Sequence, residues 1–274
     1  VNMNLVNGKS SSSISIFDRG FLYGDSVFET ILVVNNQPKN LDEHIERIKS
    51  GCKVLKIRNL DINLLYRHIK KCLKGVRNCS LSINITRGTV KRRGYNIRVG
   101  NIKPNIILTT SPLHNYPKIY TQKGIKTKFA KSNISDCNSL SKIKHTNRLE
   151  QVLATSEITQ AYPELILCDK KEYVIEGVAS NIFFVRNNTF YTPLIEQSGV
   201  EGIMKLNIIK ILKKNKTKVI QKKIKKNTIT NYDGAFFCNS IRLIWNINSI
   251  EGHKYKSNKN IINLINIINY EAYK

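Results

Sequence analysis

S-K-I-K-H-T-N-R-L-E-Q-V, residues Ser141–Val152, sets a lysine against the start of a helix. Asn147 can accept from the first backbone N–H groups of a helix whose third position is Glu150, in the manner of a capping box. Leu149, Val152 and Leu153 fall at i, i+3 and i+4, an apolar stripe expected to fix that helix on a core. Lys144 then stands just outside the positive end of the helix dipole, with Lys142, His145 and Arg148 beside it. Positive surroundings favour the neutral, nucleophilic form of an amine, which is what a Schiff-base lysine needs. The competing reading is a solvated lysine in a lysine-rich chain.

The 274 residues can bury a sizeable core and suit two domains of ordinary size. Lys+Arg 45 against Asp+Glu 19 leaves 45 − 19 = +26, a balance that raises nucleic acid or an anionic surface as partner. The basic residues are spread along the chain among abundant Asn and Ile. Pairs such as Lys222–Lys223 and Lys225–Lys226 lack the interleaved aromatics of a nucleic-acid surface. A bias toward Lys, Asn and Ile is the preferred account, with no specific nucleic-acid partner expected; a basic nucleic-acid-binding protein on a fold that has lost catalysis is the alternative of a different class. The cysteines, Cys52, Cys72, Cys79, Cys137, Cys168 and Cys238, never form C-x-x-C and read as reduced, mostly buried thiols. The histidines show no metal-ligand spacing, so no metal site is expected. Neither a signal sequence nor a run of roughly 20 apolar residues is present, and a soluble cytoplasmic protein is expected.

Before the lysine stretch, Asn7-Gly8 signals a hairpin between Leu5–Val6 and a strand at Ile14–Phe17. Gly20 and Gly24 flank aromatics in D-R-G-F-L-Y-G-D, which suits either a bent approach to a pocket or an ordinary turn, and the chain then enters a β-rich Ile31–Val34 followed by an Asn35-Asn36 turn. Leu41, Ile45, Ile48, Cys52 and Leu55 recur at helical spacing, with Asn40 and Glu43 as start signals and Arg47 beside the stripe. A second helix is expected over Ile62–Leu73. Leu81, Ile83 and Ile85 then alternate with polar residues as a strand, which runs into the arginine- and glycine-rich T-R-G-T-V-K-R-R-G-Y, Thr86–Tyr95. Ile106–Thr110 is a further strand. Pro117 and Gly124 mark a linker at 113–124, giving a small N-terminal α+β domain at 1–112 and a larger C-terminal domain at 125–274.

In the second half, short strands are expected at Ile125–Ala130, Leu165–Asp169, Tyr173–Ile175 and Ile182–Arg186, the last turning at Asn187-Asn188 into Phe190–Thr192. Gly202 opens a helix with Ile203, Leu206, Ile209 and Leu212 on one face and no Ser, Thr or Asp cap, so its first N–H groups suit an anion. Strands near Val219–Ile220 and Ala235–Asn239 and a helix in Asn260–Tyr270 complete the reading.

The order and spacing of five blocks resemble the fold-type IV pyridoxal-phosphate enzymes, the family of branched-chain and D-amino-acid aminotransferases and 4-amino-4-deoxychorismate lyases. The blocks are Asp18–Thr30, H-I-E-R-I at His44–Ile48, I-K-H-T-N-R-L-E-Q-V-L-A at Ile143–Ala154, E-G-V-A-S-N-I-F at Glu176–Phe183, and Thr192-Pro193 followed by G-V-E-G-I-M-K at Gly199–Lys205. The resemblance implies a two-domain α+β or α/β architecture like that of D-amino-acid aminotransferase, with pyridoxal 5'-phosphate as cofactor and a homodimer as the assembly. It implies that Lys144 holds the cofactor and moves protons, that Glu176 faces the ring nitrogen, and that Arg47 with the N–H groups of Ile203 and Met204 after Gly202 holds the phosphate. Asn239 and Ser240 would add a further phosphate contact.

Within the family, K-H-T-N-R-L-E-Q-V-L is most similar to the lyases. Arg148 stands near the place where the aminotransferases carry a tyrosine at the cofactor's phenolic oxygen. Thr30 matches a lyase threonine near the leaving group. Arg93, or Arg92 because the loop is one residue longer than R-G-x-x-x-R-G-Y, is the candidate for a substrate carboxylate, and Tyr23 for the pocket wall. The implied activity is conversion of 4-amino-4-deoxychorismate to 4-aminobenzoate and pyruvate for folate biosynthesis; the same-fold alternative is a branched-chain or D-amino-acid aminotransferase.

Overall fold

The structure is a computed structural model that describes residues 3–97 and 102–274. It divides into two compact units, Val1–His114 with Ile143–Asn147, and Asn115–Lys142 with Arg148–Lys274. Ile143–Asn147, although within the 125–274 span expected for the second domain, are thus grouped with the N-terminal unit.

The first unit contains β1 (Asn4–Val6), β2 (Lys9–Ser10), α1 (Arg19–Tyr23), β3 (Ser26–Val34), β4 (Gln37–Pro38), α2 (Leu41–Leu55), α3 (Ile62–Cys72), β5 (Cys79–Thr86) and β6 (Asn105–Ser111). Its antiparallel sheet has the order β2-β1-β6-β5-β3-β4. Leu81, Ile83 and Ile85 alternate inward along β5 as their spacing predicts, and with Ile31 and Val33 they meet Ile45, Ile48 and Cys52 of α2 and Leu65 and Ile69 of α3 in one core. Tight turns at Asn7-Gly8 (φ 51° and 75°) and Asn35-Asn36 (φ 53° and 63°) use the left-handed backbone that two-residue hairpins require.

Three details depart from the sequence reading. The first hairpin returns through Lys9–Ser10, because a two-residue turn sets Val6 opposite Lys9 at once; Ile14–Phe17 forms no strand, and Ile16 is 68% exposed. The third strand begins at Ser26, well before Ile31, because Phe28, Glu29 and Thr30 pair with Asn84, Ile83 and Ser82. Asn40 takes a left-handed φ of 54° and makes no side-chain cap, so Asp42 and Glu43 supply the negative charge at the start of α2.

The D-R-G-F-L-Y-G-D stretch folds into a buried polar knot. Asp18 caps α1 by accepting from Gly20 N (2.7 Å) and also receives the Thr86 hydroxyl (2.7 Å) and the Asn105 amide (2.6 Å). Asp25 receives Arg19 Nε at 2.9 Å and Arg87 Nε at 2.6 Å, while Arg87 also donates to the carbonyls of Leu55 and Lys56. One carboxylate therefore stands between two buried guanidiniums, and removing it leaves both without that counter-charge. Asp25→Asn is expected to destabilise the protein by roughly 3–5 kcal/mol, read as a fall in the midpoint of urea unfolding.

The second unit contains α4 (Ile119–Gln122), β7 (Ile125–Thr127), α5 (Leu149–Thr155), β8 (Ile166–Cys168), β9 (Val174–Gly177), β10 (Asn181–Arg186), β11 (Thr189–Pro193), α6 (Ile203–Lys214), β12 (Val219–Lys222), a 3₁₀ turn at Lys226–Asn231, β13 (Gly234–Asn239), β14 (Leu243–Ile250), β15 (His253–Lys254) and α7 (Lys259–Tyr273). Its main sheet runs β12-β11-β10-β13-β14-β15, with β7 parallel to β14, and β8 and β9 form a separate pair. Ile182, Phe184, Phe237, Trp245 and Ile247 lie in its core. The sequence reading contains no β14, although Trp245, Ile247 and Ser249 alternate along it; Asn246 and Asn248, which disfavour strands, hide the pattern.

The helix after the lysine also differs. Arg148 occupies its N-cap with no side-chain cap, and the first turn's Glu150 accepts from Ser135 N at 3.0 Å instead of closing a capping box. Leu149, Val152 and Leu153 are 75%, 58% and 63% exposed, and the small Ala154 faces the core beside Leu165, Leu167 and Ile175. The expected apolar stripe is therefore a surface stripe. Among the described residues no helix is long and apolar enough to cross a membrane.

Candidate active site

Lys144 is held against the edge of β3. Val27 and His145 form an antiparallel bridge, Phe28 N donates to Lys144 O (2.9 Å), and Thr146 N donates to Ser26 O (3.1 Å). The Ser26 and Thr146 hydroxyls are 2.6 Å apart, and Asn147 donates to Gly24 O at 3.0 Å, which is where the asparagine read as a helix cap is engaged. On α2, a Cβ added at Gly51 would stand 2.7 Å from Val27 and 3.8 Å from Ile143, so only glycine lets the helix approach this closely. With the backbone fixed, Lys144 Nζ lies 4.1 Å from the centre of the Phe28 ring. Strand alternation puts Thr30 on the same face as Phe28 and Glu29 on the opposite one.

Glu29, 1% exposed, meets α2 there. Arg47 Nε donates to its Oε1 and Arg47 Nη2 to its Oε2, both at 2.6 Å, and His44 Nδ1 lies 2.6 Å from Oε2. Burial alone would raise the carboxyl pKa; the Arg47 charge, with the hydrogen bonds from Arg47 and His44, outweighs it and brings the value down to about 2. A folded-state pKa below the unfolded one contributes stability that is present above about pH 4.5 and lost as the pH falls toward 2. Acid titration of unfolding is expected to show a loss on the order of 3 kcal/mol across that window, and Glu29→Gln to remove that part of the pH dependence.

In the second unit, Glu176 lies one residue before the end of β9 at 5% exposure, with Oε2 accepting from Val200 N at 2.8 Å. The turn that follows is clamped from both sides: Ala179 N donates to Glu164 Oε1 (2.9 Å) and Asn239 Nδ2 donates to Ala179 O (2.8 Å). Glu164, fully buried, pairs with Arg242, whose guanidinium lies over Trp245. Asn239 Oδ1 accepts from Ile241 N and Arg242 N, so it shapes the turn that carries Ser240. Ser180 Oγ is buried without a hydrogen-bond partner among the described residues.

Gly202 is the N-cap of α6 and supplies no side-chain cap, leaving the amides of Ile203 and Met204 at the helix start. A Cβ there would fall 1.9 Å from Asn181 Oδ1, whose amide holds Val200 O at 2.9 Å. The uncapped start of a twelve-residue helix and an orphaned buried hydroxyl are donors suited to a phosphate, and the buried Glu176 carboxylate is an acceptor suited to a protonated ring nitrogen. Gly202→Ala is expected to displace Asn181, lower stability by roughly 1–3 kcal/mol and weaken phosphate-dependent cofactor binding, measured by thermal unfolding and equilibrium dialysis.

The arginine loop is not a cluster. Arg87 is committed to Asp25 and two carbonyls, whereas Arg92 and Arg93 are exposed. Tyr23 is half-buried, its hydroxyl accepting from Gly94 N at 2.7 Å and its ring 5.2 Å from that of Tyr95. Arg19 Nη1 donates to Gly94 O, which anchors the same end of the loop. Sequence reasoning passed over Glu29, Phe28, Ser180 and the Glu164–Arg242 pair; a glutamate inside an apolar strand was the available signal for the first. Among the described residues no cluster of His, Cys, Asp or Glu could hold a metal ion.

The architecture is that of a fold-type IV pyridoxal-phosphate enzyme. The chain superposes on the crystal structure of 4-amino-4-deoxychorismate lyase from Pseudomonas aeruginosa with a TM-score of 0.95, at 28% identity over 99% of this chain and 100% of that one. It is 25% identical to aminodeoxychorismate lyase of Vibrio harveyi over 86% of this chain and 87% of that protein, and 28% identical to a putative branched-chain-amino-acid aminotransferase of Methanocaldococcus jannaschii over 90% and 87%. Residues 26–250 match the family described as Amino-transferase class IV, and the chain belongs to that family. It is a pyridoxal-phosphate-dependent enzyme.

Proposed function

We propose that this enzyme is a lyase that converts 4-amino-4-deoxychorismate to 4-aminobenzoate and pyruvate, a step of folate biosynthesis. The observation that carries the reading is the likeness to the Pseudomonas aeruginosa lyase over essentially the full length of both chains. When bound, pyridoxal phosphate supplies an electron sink for the carbon that bears the substrate's amine.

Lys144 holds the cofactor and then takes the proton from that carbon, for which a fixed backbone and a mobile four-carbon arm are suited. Glu176 keeps the ring nitrogen protonated, since a buried carboxylate favours the cation beside it. Arg47 and the N–H groups of Ile203 and Met204 beyond Gly202 receive the phosphate, with Asn239 and Ser240 as further contacts. Arg148 takes the place near the phenolic oxygen that a tyrosine holds in the aminotransferases. The ether bond to the enolpyruvyl group breaks as the proton leaves, the six-membered ring becomes aromatic, and Thr30 delivers a proton to the departing enolpyruvate to give pyruvate. Arg93 or Arg92 binds a substrate carboxylate, and Tyr23 lines the pocket. Aromatisation makes the step downhill, so the residues chiefly position the substrate and handle protons.

The aminotransferase reading has its own support in the likeness to the putative branched-chain enzyme. Purified enzyme mixed with 4-amino-4-deoxychorismate is expected to release pyruvate, and Lys144→Ala to abolish both that release and the visible absorbance of the bound cofactor. Fast exchange of amino groups with 2-oxo acids and no pyruvate would favour the aminotransferase instead. A homodimer in the cytoplasm completes the proposal: the exposed Leu149, Val152 and Leu153 suit a surface covered by a second copy, and the unpaired cysteines suit a reducing compartment.

A further inference from the structure

We propose that Glu29 is a positioning residue for the cofactor phosphate, holding the guanidinium of Arg47 in a single orientation; this rests on the reading of Arg47 as a phosphate ligand. Glu29 lies on the inward face of β3, where the neighbouring inward residues Val27 and Ile31 are apolar and 2% and 0% exposed. A carboxylate in that row is out of keeping with the core unless it serves the groups that face it. The groups that face it are Arg47 and His44, one helical turn apart on α2 and both in hydrogen-bond contact with it.

The contact engages one edge of the guanidinium, Nε and Nη2, in a two-point fork. A two-point fork fixes the plane as well as the position of an arginine head, which a single bond does not. The Nη1 end is then directed by Glu29 through a rigid plane, and His44 Nδ1 holds the same carboxylate at Oε2, the oxygen that receives Arg47 Nη2. An arginine held this way loses little further freedom when it receives an anion, whereas an untethered arm would have to be ordered at that moment. Glu29 itself needs no contact with the cofactor.

The test compares binding of pyridoxal 5'-phosphate with that of pyridoxal, which lacks the phosphate, to enzyme stripped of cofactor, by equilibrium dialysis. The variants are Arg47→Ala, Glu29→Gln, the double variant and Glu29→Asp, which keeps the charge on a shorter arm. Glu29→Gln is expected to weaken pyridoxal phosphate about tenfold to a hundredfold, the range seen when a group that orients a ligand is removed, to leave pyridoxal unchanged, and to add nothing in the Arg47→Ala background. If Arg47→Ala weakens pyridoxal phosphate selectively and Glu29→Gln does not, the positioning role is wrong while the reading of Arg47 stands. Equal losses for both ligands, or an undiminished Glu29→Gln effect without Arg47, reduce Glu29 to a structural residue and overturn the proposal. If Arg47→Ala spares pyridoxal phosphate, the reading of Arg47 fails and the proposal falls with it. Should Glu29→Gln fail to fold, Glu29→Asp carries the same comparison: a selective loss for pyridoxal phosphate supports the role, and an unselective or absent one overturns it.

Discussion

The first unit turns on the pairing of five residues, Ile143–Asn147, with the start of β3. The bonds from Phe28 N to Lys144 O and from Thr146 N to Ser26 O make the lysine's backbone part of a sheet edge. A nucleophile on a long flexible side chain gains most from such fixing, because the remaining freedom is confined to the arm. The same strand then distributes roles by its period of two. Phe28 and Thr30 lie on the lysine's side, and Glu29, pointing the other way, takes hold of α2 through Arg47 and His44. A slip of one residue in the pairing of β3 with β5 would exchange these faces, so the eight-residue register with β5 keeps both arrangements in place.

In the second unit, the candidate groups are fixed at two turns rather than along a strand. The turn after Glu176 is clamped through Ala179 by Glu164 and Asn239, and the start of α6 is brought against Asn181 by the absence of a side chain at Gly202. Each clamp is itself buttressed: Glu164 by Arg242, and Asn239 by the amides it accepts. Polar groups buried in this way are stable only when paired, which makes the orphaned Ser180 hydroxyl stand out. Lys205, wholly buried on α6, follows the rule, with its amine on Glu201 and on Pro193 O.

Much of the fold was legible in residue spacing. The stripe from Leu41 to Leu55, the alternation at Leu81–Ile85, and the Asn-Gly and Asn-Asn turns all act within a few residues, and local sterics decide them. The candidate site was legible only as motifs, the blocks that hold Lys144, Glu176 and Gly202. What those blocks do locally was less so. Gly20 and Gly24 read as a bent approach to a pocket or an ordinary turn, yet Asp18, Arg19 and Asp25 around them build a knot with Thr86 and Arg87, more than sixty residues away. The loop arginines, read together in the sequence, part company in the structure: Asp25 captures Arg87, while Arg92 and Arg93 are exposed.

The sequence by itself carried the family in the order of its motif blocks, and it determined the periodic helices and strands, the tight turns and the uncapped start of α6, since these depend on backbone preferences and hydrophobic spacing close along the chain. Tertiary structure alone decided that Asn147 serves Gly24 rather than a helix, that Leu149, Val152 and Leu153 face outward, and that Glu29 sits inside the core holding Arg47. Each of these is a choice between a local partner and a distant one. A side-chain oxygen or amide takes whichever partner leaves fewer buried groups unpaired, and that balance exists only once the strands and helices have met.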